Sequence, residues 1–87
     1  MNVSVSDKFA VLENQVPETV DLRNLEAPIP MEKVLLACSQ LDTGEFFLAH
    51  LPHVPIMLFP HLESRGLQWW VHEESDQSAL VLIRKVA

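Results

Sequence analysis

Residues 79–83, Ala79-Leu80-Val81-Leu82-Ile83, are an unbroken apolar run, and nothing else in the chain restricts its fold so tightly. Successive side chains of a strand point to opposite faces, so a strand apolar at every position is buried on both and belongs inside a sheet. The run is far shorter than the roughly 20 residues of a membrane-spanning helix. The other apolar stretch, around residues 54–59, is interrupted by proline. A soluble sheet protein is expected. The 87 residues allow a single domain. With 48% hydrophobic and 21% charged residues, the chain has globular rather than disordered composition.

The remaining elements follow from local patterning. Residues 19–22 alternate polar and apolar, with Val20 and Leu22 on one side, as in a short strand. Ala27-Pro28-Ile29-Pro30 comes next, and Pro30 suits the first turn of a helix. Met31, Val34, Leu35, Cys38 and Leu41 then recur at helical spacing, until Asp42-Thr43-Gly44 stops the helix. Residues 45–50 read as a second strand, ended by Pro52 and Pro55. Pro60 requires the second helix to begin near Leu58 or Phe59, and Gly66 caps its end. Residues 67–73 form strand three, 74–77 a polar turn and 78–85 strand four. The order βαβαββ predicts an α+β, two-layer α/β sandwich: a four-stranded mixed sheet with both helices on one face. Residues 1–17 are expected to be an N-terminal arm and 18–87 the domain.

Charge and cysteine usage exclude several function classes. Six Lys and Arg against twelve Asp and Glu give a formal charge of −6, which disfavours nucleic acid and anionic membrane as partners. The first 16 residues carry Asp7 and Glu13 and lack a basic start with an apolar block, so a cytoplasmic location is expected. A single cysteine, Cys38, excludes an internal disulfide and any multi-thiolate site, and its place on the helical stripe predicts a buried, inert thiol. The serines lie in no nucleophile elbow, and Gly44 and Gly66 cannot build a phosphate loop. The carboxylates Glu73, Glu74 and Asp76 read as a solvated turn.

From Val20 onward the element order and residues 21–30 resemble the sulfur-carrier TusA (SirA-like) family. There a strand reading L-D-L-R-G-L leads into Cys-Pro-x-Pro at the start of the first helix, and Gly-Glu opens the second strand. Pro28, Pro30, Gly44 and Glu45 match, whereas Ala27 stands in the place of the cysteine and Asn24 in that of the glycine. The resemblance is closer to a cysteine-less bacterial branch of unknown function, often linked to hemerythrin-like domains. That branch is matched by His53, Pro55 and residues 57–66, with Val54 where an acidic residue is common.

The resemblance implies that strands one to three run parallel, gathering several loops at one carboxyl edge, where open α/β sheets favour ligands. Arg23, Pro28, His50, His53 and Pro55 are the expected ligand-binding residues. His50, His53 and His72 are candidate ligands for a transition metal ion, the one cofactor the chain suggests, although no metal-specific spacing is present. Trp69 and Trp70 point to opposite faces of strand three. They are the expected interface residues, for a protein partner or a second copy on the uncovered sheet face, with the N-terminal arm folded back over that face as the equal alternative. With no thiol at position 27, persulfide chemistry lacks its nucleophile. The expected function is a non-catalytic binding or regulatory module acting through protein contacts. The alternative is a sulfur-relay or redox accessory that works with a partner's thiol.

Overall fold

The structure, a computed structural model, describes residues 19–86. The expected N-terminal arm lies outside the described residues. Four strands and two helices follow in the order β1 (Thr19–Asp21), α1 (Ile29–Ser39), β2 (Phe46–Leu51), α2 (Phe59–Ser64), β3 (Leu67–Glu73) and β4 (Ala79–Lys85). A turn of 3-10 helix, Ile56–Leu58, leads into α2. The expected α+β sandwich is therefore present, with a mixed four-stranded sheet in the order β1-β2-β4-β3. β1 and β2 are parallel, and β4 runs antiparallel to both β2 and β3. The strand that is apolar throughout thus occupies an interior position, as its sequence demands.

Strand register divides the side chains into two layers. On the helix side, Ala49 and Leu51 of β2, Val81 and Ile83 of β4 and Leu67 of β3 join Val34 and Cys38 of α1 and Leu58 and Leu62 near α2 in one core. Met31, Leu35 and Leu41 pack against that core, so the stripe read from the sequence is the buried face of α1. Phe59 stacks on Trp69 with ring centroids 5.5 Å apart. The alternate residues stand on the other face, in the cross-strand rows Leu48, Leu82, Trp70 and His50, Leu80, His72. Leu82, in the middle of that face, is fully buried. At its far end the Arg84 guanidinium lies 5.6 Å from the centre of the Phe46 ring, directly opposite in register.

The turns obey their backbone chemistry. Gly44 and Gly66 take positive φ, which an L side chain resists, where the chain leaves α1 and α2. In the β3–β4 turn the Glu74 amide donates to the Ser78 carbonyl at 2.8 Å, and the Gln77 amide to the Glu74 carbonyl at 3.0 Å.

Candidate functional site

The carboxyl edge of β1 and β2 is where the sequence concentrates its prolines, and their backbone consequences build a groove there. Pro52 and Pro55 cannot continue a strand ladder, so β2 stops at Leu51 and the chain turns back over the sheet edge. The turn Ile56–Leu58 then sends Leu58 into the core at 0% exposure, leaving Ile56 and Met57 69% and 79% exposed. Across from them, Ala27, Pro28 and Pro30 bring the chain into α1. Between these segments lies a groove of about 510 Å³. Leu51, Leu58 and Pro30 are its buried members, while Ala27, Pro28, His53, Ile56 and Met57 are its exposed ones. Three expected ligand-binding residues, Pro28, His53 and Pro55, line this one groove. Arg23 and His50 do not.

Those two residues belong to a polar cluster on the other side of the same edge. Arg23 donates from Nε and Nη2 to the two carboxylate oxygens of Asp21, at 2.9 and 2.8 Å. These bonds hold the Asp21 carboxyl well below the usual carboxylate range. His50 pairs with Asp21 across β1 and β2, and its Nε2 lies 2.8 Å from Ser78 Oγ. The Ser78 hydroxyl donates to Asp76 Oδ1 at 2.5 Å, and the Ser78 amide to the same oxygen at 3.0 Å. A hydroxyl has one proton, so with it given to Asp76, His50 Nε2 must be the donor to Ser78. The Asp76 carboxyl is lowered in turn, chiefly by the Ser78 hydroxyl. Ser78 is 4% exposed with its oxygen engaged on both sides, an arrangement that ties β2 to the β3–β4 turn and leaves no accessible nucleophile. Reading Asp76 as merely solvated overlooked this contact, whose signal in sequence is the Asp-x-Ser spacing of a side-chain-to-backbone turn.

The expected trio of metal ligands is not brought together. Among the described residues, no group of three or more His, Cys, Asp or Glu is placed to hold a metal ion. The physical reason is β4: His50 and His72 both face Leu80 in register, so an entire strand separates them. His72 Nε2 instead lies 3.5 Å from the Glu74 carboxylate. His53 is exposed on the groove side, its Nδ1 3.2 Å from the Val54 carbonyl. Trp69 is half-buried, with its ring stacked on Phe59 against the core layer. Trp70 is the indole on the face that carries no helix among the described residues. Cys38 is 3% exposed, and burial pushes its thiol up to about 11. No helix among the described residues is long and apolar enough to cross a membrane.

The architecture is similar to the crystal structure of a SirA-like protein from Desulfitobacterium hafniense. The match has a TM-score of 0.64 at 20% sequence identity and covers 79% of this chain and 97% of that one. None of the curated proteins matches the chain. A family model described as "Uncharacterized conserved protein (DUF2249)" matches residues 19–85, the span of all four strands and both helices, and the chain belongs to that family.

Proposed function

We propose that this domain is a non-catalytic binding module of the TusA-like fold whose working surface is the groove between the start of α1 and the turn after β2. The observation that carries this reading is the groove itself. A sheet edge this small gathers an apolar cavity of about 510 Å³, within the range of small-molecule sites, and flanks it with two large, highly exposed apolar side chains, Ile56 and Met57. Exposed apolar groups beside a concavity mark contact sites more often than scattered surface residues do.

The absence of catalysis rests on nucleophiles. Ala27, at the position where the sulfur carriers hold their cysteine, lines the groove with a methyl group. The Cys38 thiol is buried on the core side of α1, and the Ser78 hydroxyl is enclosed by its partners. A neutral apolar dye such as Nile red tests the groove directly. Its fluorescence is expected to rise on addition of the protein and to lose most of that rise with Met57→Glu, a change at a 79% exposed position that leaves the core untouched. An unchanged signal with Met57→Glu would refute the groove as the binding surface.

A further inference from the structure

We infer that the occupant of the groove is an uncharged, mainly apolar small molecule carrying one hydrogen-bond-donating head, such as a hydroxyl, that meets the imidazole of His53. The inference rests on the groove being the binding surface and adds the chemistry of what fills it.

Charge and donor supply select the occupant. The chain carries twelve Asp and Glu and six Lys and Arg, yet among the described residues none of these lines the groove, whose only ionisable side chain there is His53. A charged ligand placed there would lose its hydration without gaining a counter-charge. Much of the local backbone is short of donors as well. Four lining residues, Pro28, Pro30, Pro52 and Pro55, have no N–H. Three further amides nearby are spent: Ile29 donates to the Glu26 carbonyl at 2.9 Å, Ile56 to that of Val54 at 3.0 Å and Leu58 to that of Pro55 at 2.9 Å. A helix start usually offers an anion several free donors, and here Pro28 and Pro30 have none while the Glu32 amide is given to the Pro28 carbonyl at 3.1 Å.

Among the described residues, His53 is the one polar side chain of the lining. The Val54 carbonyl can only accept, so His53 Nδ1 carries the proton in their 3.2 Å contact. In the neutral ring Nε2 then holds a lone pair and accepts. A donor on the ligand satisfies it, whereas a second acceptor does not.

Four ligands with one octyl chain separate these elements: octanol, octyl methyl ether, octanoate and octylammonium. They would be titrated at pH 8 into protein labelled for methyl NMR, with the Ile56 and Met57 signals as reporters. Octanol is expected to bind at least about tenfold more tightly than either ion. It is also expected to bind several-fold more tightly than the ether, an advantage that His53→Ala removes while the ether binds as before. Octanoate or octylammonium matching octanol would overturn the neutrality of the ligand while leaving the groove reading intact. An ether equal to octanol, or an octanol advantage surviving in His53→Ala, would overturn the role of the imidazole. Failure of all four to shift either methyl signal would overturn the groove reading together with this inference.

Discussion

Cys38 shows how position decides the chemistry of a side chain. It shares a core with Val34 and Leu62, and burial disfavours the thiolate enough to push the thiol up to about 11. At pH 8 the reactive form is therefore rarer by roughly a hundredfold than for an ordinary cysteine, before any steric shielding. Iodoacetamide should label the native protein at under about one hundredth of the rate seen in urea. Comparable rates in the two states would contradict the buried assignment. Ser78 makes the complementary point, because a hydroxyl beside a histidine and an aspartate looks reactive on paper. Its proton goes to Asp76 and its lone pair accepts from His50, so the three residues fasten a turn rather than activate an oxygen.

At the scale of elements, α2 is a six-residue helix, too short to persist alone in water. Tertiary packing holds it: Leu62 is fully buried and Phe59 rests on Trp69. Leu62→Ala should accordingly cost about 2–5 kcal/mol in urea unfolding, whereas Leu36→Ala, at a site on α1 that is 64% exposed, should stay within about 0.5 kcal/mol. Equal costs would mean that the core lies elsewhere. Much of this scale was legible in the amino-acid sequence, because prolines, glycines and periodicity are local signals. The start of α2 follows from Pro60, its end from Gly66, and the bounds of β3 from the run that follows that glycine. The pairing of β3 with β4 was legible as a hairpin across the polar turn 74–77, but that of β4 with β2 only as a requirement for burial, since register depends on contacts remote in the chain. The same gap misplaced His50 and His72, whose separation is set by the strand inserted between them. Pro28, His53 and Pro55 were placed at a ligand edge from sequence, whereas the exposure of Ile56 and Met57 beside them depends on Leu58 taking the inward position.

For the molecule as a whole, the acidic edge ties stability to pH. Arg23 holds Asp21, and Ser78 holds Asp76, below the ordinary carboxylate range. A carboxyl whose folded pKa is depressed adds stability above the unfolded value of about 3.9, and that contribution is lost as pH falls through the folded value. Both groups are exposed, so the effect is modest and screened by salt. Acid also relieves the self-repulsion of a chain with formal charge −6, which acts in the opposite direction. The informative measurement is therefore comparative: the fall in urea midpoint between pH 6 and pH 3 should be smaller for Asp76→Asn than for the unaltered chain. Identical falls would show that Asp76 is not part of the linkage. One arrangement governs how this molecule comes into being: β4, last of the four strands along the chain, lies between β2 and β3. On a ribosome the two flanking strands emerge first and face each other across a gap, each with an unsatisfied hydrogen-bonding edge. Nothing short of residues 79–85 closes it, so a nascent chain halted before them exposes sticky edges instead of a partial fold.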